Sequence, residues 1–358
     1  MKMKRCSVVF LFAALWAPSL PGGVQEPFKL GTFQEHERIL LGLVVGDTLV
    51  VDIARANAAL PGAKPVIPSE MKNLIRNYGK LKSRLYEIAN SAAGIKGERP
   101  SWIKDIKSLQ IRSPVAPGII LNAAVNYAEH ANEMQGGGAV ISGTSSREQG
   151  NIRKGIPGIW ERKPGDTRQN PYLFLKAPSA VVASGEPIRI PPGRKEIDWE
   201  CELDAVIGES ASHVPVEHAG DYIFGYTLQN DVSDREFRAD ARHGTDWFIG
   251  KSHDTFAPLG PFIVPKEFVK NPMKLSQKFL LNGKVMQDSN TDRMTHNVYE
   301  MVSFASNVLT LKAGDVVSMG SPAGVGAGRA QPVFMKNGDI SVCTIEGIGM
   351  LVNPVVGK

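Results

Sequence analysis

The eight residues Ile197-Asp198-Trp199-Glu200-Cys201-Glu202-Leu203-Asp204 constrain this chain more than any other stretch. Side chains alternate across a strand, so an extended backbone puts Asp198, Glu200, Glu202 and Asp204 on one face. Trp199, Cys201 and Leu203 then take the other. Carboxylates at that spacing repel, and Asp and Glu are poor strand formers, so the acidic face calls for positive charge above it. A bound cation is the simplest source, and a half-solvated strand with its polar face in water is the alternative. A second predicted strand, Tyr222 to Gln229, ends at Asn230-Asp231, where Asp231 can join Glu200 and Glu202 from a neighbouring strand end. Three oxygen ligands without clustered His or Cys suit a hard ion, Mg2+ or Mn2+ before Zn2+.

A chain of 358 residues has room for one large domain plus a smaller one. With 42% apolar and 22% charged residues it reads as an ordinary folded protein, neither disordered nor fibrous. Lys2, Lys4 and Arg5 precede an apolar run, Val8 to Ala17, broken by Pro18 and Pro21. That pattern predicts a signal peptide over residues 1–24 and export to the periplasm or beyond. The run is shorter than the roughly 20 residues a membrane span needs, and no later segment approaches that length, so no membrane partner is expected of the mature form. Removing the three basic residues lowers the net charge from +5 to +2. Lys and Arg are otherwise scattered and no groove-reading motif appears, which argues against nucleic acid. Beyond Cys6 in the leader, Cys201 and Cys343 remain. One disulfide is arithmetically possible, but Cys201 lies on the apolar side of the acidic strand and is expected to be a buried free thiol.

Residues 25–112 read as a small N-terminal α/β module. It holds a hairpin, Ile39 to Ile53, and one amphipathic helix that begins at the N-cap Ser69 and ends at Gly94 and Gly97. The linker Arg112 to Gly118 opens a second domain, 113–358. There a short strand, Ile119 to Ala124, runs into a helix start at Asn126 to Glu133. His130 and Glu133 are three apart and share a helical face, so the carboxylate can orient the imidazole as a general base for water; a surface pair is the alternative. Residues 135–170 are Gly-, Ser- and Pro-rich without periodicity, as in a lid or a flexible insertion. Lys251 follows Gly250 ahead of a proline-locked segment, where its ammonium can meet an anionic substrate or simply face solvent. A hairpin turns at Asn282-Gly283, a helix covers Tyr299 to Leu309, and a strand at Asp315 to Met319 enters the Gly-rich loop Gly320 to Gly328. The loop lacks the Lys of a phosphate-binding loop, but its N–H groups and the Ser321 hydroxyl suit a carboxylate.

Asn126 to Glu133, Asp198 to Glu202, Asn230 to Ser233, Gly250 to Pro261 and Gly320 to Gly326 occur in the order seen in the fumarylacetoacetate hydrolase superfamily, and from about Arg112 to Val356 the chain resembles it. The resemblance is to bacterial acylpyruvase-like, 2-oxo-acid hydrolase members. It implies an α+β, mainly β fold, a mixed β-sandwich roll, usually dimeric, and usually cytoplasmic in contrast to the leader. It also implies a divalent ion, Mg2+ or Mn2+, on Glu200, Glu202 and Asp231. His130 and Glu133 become the water-activating dyad, Lys251 acts in catalysis and substrate binding, and Arg235, Arg238 and Ser321 lie at the substrate. The implied reaction is hydrolysis of a C–C bond in a 2-oxo or β-diketo acid, such as an acylpyruvate, through a metal-stabilised enolate. Decarboxylation, isomerisation or hydration of related oxo or dienoic acids is the alternative, and a non-catalytic binder of metal and organic acid is the reading from another class. The chain departs from the pattern at several points. Asp234 adds an acid beside the metal strand, and Arg238 stands where relatives carry an amide. Met319-Gly320-Ser321-Pro322 replaces the usual Thr-Gly-Thr-Pro, residues 135–170 are longer than in most relatives, and the signal-like leader is unusual for the family.

Overall fold

The acidic stretch folds as two strand segments, not one. Ile197–Asp198 pairs with Ser233–Asp234, and after a break Cys201–Ile207 pairs with Ile223–Asn230 on one side and Val316–Ser318 on the other. The computed structural model describes residues 25–136, 165–166, 168–238 and 246–357. The expected signal peptide and most of the 135–170 insertion therefore lie outside the described residues.

Two sheets organise the described chain. The larger runs in the order Ile103–Asp105, Leu49–Asp52, Arg38–Val45, Lys29–Glu35, Ala257–Pro265, Ile223–Asn230, Cys201–Ile207, Val316–Ser318, Ile120–Ala124 and Tyr172–Lys176. Its main pairings are antiparallel except where Ile120–Ala124 lies parallel to Val316–Ser318. The smaller sheet runs Lys284–Asn290, Ser276–Leu281, Ile340–Ile345, Gly349–Val356 and Ile188–Arg189. This is the α+β, mainly β architecture expected from the sequence. Residues 25–112 join the larger sheet directly, through the pairing of Leu30 with Ile263.

Alternation along Cys201–Ile207 decides which core each side chain enters. Cys201, Leu203 and Ala205 point into an apolar core shared with Phe279, Cys343, Ile345 and Leu351 of the smaller sheet. Trp199 stacks there on Phe279, with centroids 5.2 Å apart and planes 5° from parallel. On the opposite face Val206 joins a second core with Leu74, Leu81, Leu85, Ile263 and Val316, and Glu202 and Asp204, which share its strand parity, are fully buried.

Two expectations are corrected. The single helix expected from Ser69 to Gly94 is two, Met71–Arg76 and Tyr78–Ala93, interrupted at Asn77, and the first is capped at Glu70 without a side-chain bond. Cys201 is not a free thiol. It forms a disulfide with Cys343 across the two sheets, with Cα atoms 5.4 Å apart, because the apolar side of the acidic strand faces the strand that carries Cys343.

Candidate functional site

The break at Trp199-Glu200 lets neighbouring strand ends converge. Asp231 N donates to Glu200 O at 2.7 Å, so Asp231 turns in beside the acidic strand instead of continuing its own. Carboxylate oxygens of Glu200, Glu202 and Asp231 lie within 4.8 Å of one another, and all three residues are buried. The positive charge expected above the acidic face is present as side chains. Lys251 Nζ bridges Glu200 Oε2 and Asp231 Oδ2, each at 2.7 Å. Arg235 bridges Asp198 Oδ2 at 2.9 Å and Glu200 Oε1 at 2.6 Å.

These neighbours set the charge states. Burial pushes the Glu200 carboxyl up, but Lys251, Arg235 and the His130 ring hold it below the usual carboxylate range. Glu202 goes the other way: burial, then the charges of Asp231 and Glu200, raise it well above its ordinary value. Burial pulls Lys251 down, and Asp231 and Glu200 more than restore it. The Oε1 atom of Glu202 is buried without a hydrogen-bond partner, and Asn122 and Ser318 both donate to its Oε2. An all-oxygen donor set and an orphaned carboxylate oxygen fit a hard divalent ion.

His130 and Glu133 come from the Ala128–Gly136 helix. The Nδ1 atom of His130 is 3.4 Å from Glu133 Oε2, and its Nε2 faces Glu200 Oε1 across 3.9 Å. The ring is therefore aimed at the acidic cluster with its far nitrogen held. Asn126 anchors the helix start by donating to His296 O and Met319 O, each at 2.9 Å.

The remaining expected residues are distributed differently. Arg235 is committed to two carboxylates. Ser321 Oγ accepts from Gln287 Nε2 at 2.8 Å, at the start of the Gly-rich loop. The Arg238 side chain lies outside the described residues. Asp234 is buried and bound by Arg194 at 3.1 Å and His253 at 3.2 Å. The loop N–H groups expected to receive a carboxylate do so, but from the protein itself: Gly324 N reaches both Glu133 oxygens at 3.0 Å, and Gly326 N reaches Asp198 Oδ1 at 2.6 Å.

Lys176 escaped the sequence reading. It ends the mostly apolar strand Tyr172–Lys176, fully buried, with its Nζ 2.5 Å from Asp231 Oδ1 and donating to Val232 O and Lys251 O. Burial pushes it down to about 8 against the pull of Asp231. The one available signal was a lysine closing an apolar strand, and only the tertiary structure gives it partners.

The family model described as fumarylacetoacetate (FAA) hydrolase, C-terminal, matches residues 119–356, which include every residue of this cluster. The chain belongs to the fumarylacetoacetate hydrolase family. Its members are enzymes acting on small organic acids, and they include hydrolases, isomerases and tautomerases. An oxaloacetate tautomerase from Xenopus laevis is 41% identical over 188 residues, 52% of this chain and 59% of that protein, so the chain spans less than two thirds of it. A fumarylacetoacetate hydrolase domain-containing protein 2 homolog from Dictyostelium discoideum is 36% identical over 317 residues, covering 86% and 89% of the two chains. Among solved structures, a maleylpyruvate hydrolase from Sphingobium sp. SYK-6, in complex with manganese(II) and pyruvate, superposes with a TM-score of 0.63 at 27% identity. That match covers 92% of this chain and 99% of the other.

Proposed function

We propose that this family member is a divalent-metal-dependent enzyme that moves a proton next to the keto group of a 2-oxo acid, and that its reaction is the keto–enol interconversion of a 2-oxo dicarboxylate such as oxaloacetate. The observation that carries it is His130, whose Nε2 faces the Glu200–Glu202–Asp231 cluster while Glu133 holds its Nδ1. The choice of reaction is supported by the tautomerase relatives, at up to 41% identity.

Glu200, Glu202 and Asp231 would hold Mg2+ or Mn2+, which when bound supplies a Lewis acid that draws electron density from the substrate carbonyl. His130 takes the enol O–H proton and delivers it to the adjacent carbon, so the enol loses and the keto form gains one proton at the stated atoms. Glu133 keeps Nε2 as the working nitrogen by occupying Nδ1. Lys251, between Glu200 and Asp231, limits the repulsion of the cluster and offers its charge to a substrate carboxylate. Arg235 acts on the substrate through Glu200, and Ser321 remains as a residue for its distal end.

Hydrolysis of a C–C bond in an acylpyruvate-like acid is the second reading, favoured by the maleylpyruvate hydrolase likeness. In it His130 takes the proton from water instead of from the enol. Purified protein loaded with Mn2+ or Mg2+ and assayed for enol decay of oxaloacetate and for acylpyruvate cleavage separates the two. Enol decay that is no faster than in His130→Ala sinks the first. Export through residues 1–24 is part of the same proposal, supported by the disulfide, which persists in oxidising compartments. A mature N-terminus still at Met1 in fractionated cells contradicts it.

A further inference from the structure

The Gly-rich loop presents its backbone N–H groups to two carboxylates of this chain, and those two belong to different halves of the site. Gly324 N donates to Glu133 Oε1 and Oε2, each at 3.0 Å. Two residues on, Gly326 N and Ala327 N donate to Asp198 Oδ1 at 2.6 Å and Oδ2 at 3.0 Å. From Glu133 the contacts continue to His130, and from Asp198 through Arg235 to Glu200 Oε1, which His130 Nε2 faces. The result is a closed ring that runs base, loop, ion pair, metal ligand and back to base.

We propose that the segment Gly324 to Gly328 is a positioning element that sets the general base and the metal ligand in one register, by gripping Glu133 with the Gly324 amide and Asp198 with those of Gly326 and Ala327. The inference rests on the proposed roles of His130 and Glu200 and adds what aligns them. Charge-assisted bonds from backbone amides to a carboxylate are short and directional, so the loop backbone sets where both acids sit. The space around the loop is matched to this grip. A Cβ on Gly328 would lie 2.3 Å from Glu133 Cγ, and one on Gly326 would lie 2.7 Å from Asp198 Oδ1 and 1.9 Å from Val333 O. Gly324 itself has φ +103°, and a Cβ there would stand 2.3 Å from Met286 O, so this turn accepts only glycine. Gly328 is thus held to glycine by Glu133, Gly326 by Val333 O and Asp198 together, and Gly324 by the backbone of Met286.

The two arms of the grip predict separable effects. Gly328→Ala pushes on Glu133 and should lower kcat at least tenfold while KM and the Mn2+ dissociation constant, read by electron paramagnetic resonance, stay within twofold. Its effect should vanish in a Glu133→Ala background, because the carboxylate it displaces is gone. Asp198→Asn, which keeps the side-chain shape and frees Arg235, should instead weaken Mn2+ binding about tenfold. A readout without turnover or metal is hydrogen exchange at nitrogen-15-labelled glycines of the metal-free protein: Glu133→Ala should accelerate Gly324 and spare Gly326, and Asp198→Asn should do the reverse. Should Gly328→Ala fail to fold, that exchange pattern still decides. Unchanged kcat in Gly328→Ala, additive effects with Glu133→Ala, or exchange at Gly324 indifferent to Glu133 overturns the inference. A wild-type protein inactive on every acid tried, with the exchange pattern intact, overturns the proposed function alone.

Discussion

Asp204 is buried, and the hydroxyl of Ser318, opposite it across the strand pair, donates its hydrogen bond to Glu202 Oε2. Burial and the nearby charge of Asp231 push the Asp204 carboxyl well above the ordinary 3.8. A carboxyl raised on folding costs stability once the pH exceeds its unfolded value, and costs nothing below it. Asp204→Asn should therefore raise the melting temperature of the metal-free protein at neutral pH, by roughly 1–3 kcal/mol of stability, with the gain gone in acid. Calorimetry at the two pH values checks this, and an equal gain at both contradicts it. Glu35 carries the opposite sign. Lys104 at 2.7 Å and Arg38 at 3.0 Å hold it at about 2, below its ordinary 4.5. Its contribution is complete above 4.5 and is lost as the pH falls through about 2. Glu35→Gln should lower stability at neutral pH by a surface-pair amount, ~0.2–1 kcal/mol, and make no difference once the pH is below about 2, as denaturation midpoints at the two pH values would show.

At the scale of elements, the site depends on how strands end. Cys201–Ile207 carries two of the three candidate ligands at or beside its start, and the disulfide from Cys201 to Cys343 ties that start to the smaller sheet. The bridge closes a span of 142 residues, so its loss frees a large loop in the unfolded chain. Cys343→Ser should cost about 2–5 kcal/mol, seen as a lower denaturation midpoint. Thiol labelling of unreduced, denatured protein should leave Cys201 and Cys343 unmodified, and full labelling before reduction rules the bridge out. The helix Ala128–Gly136 shows the complementary case. Its start is fixed by Asn126, and its working face by the loop amide on Glu133, so neither the helix nor the loop positions the base alone.

For the whole molecule, a divalent ion that binds only the folded cluster should raise the melting temperature, by about 2.7 kcal/mol at 100 times its dissociation constant. A chelator should reverse the shift, and Glu202→Ala should abolish it. A shift that survives Glu202→Ala places the ion elsewhere. Much of the fold and part of this cluster were legible in the chain, because strand parity and turn chemistry are local. The alternation from Asp198 to Asp204, the Asn282-Gly283 turn and the three-residue spacing of His130 and Glu133 all follow from adjacent residues. Lys176, the Cys201–Cys343 bridge and the loop's grip on Asp198 were not legible. Each joins residues separated by 55 or more positions, and their contact follows from sheet order rather than from anything nearby. The sequence by itself determined that several acids share one strand face and need positive charge above it, since repulsion at that spacing is a property of the stretch alone. Only the tertiary structure decided which cations answer them and where the imidazole stands, because strand ends that are distant along the chain meet only when the sheet has closed around them.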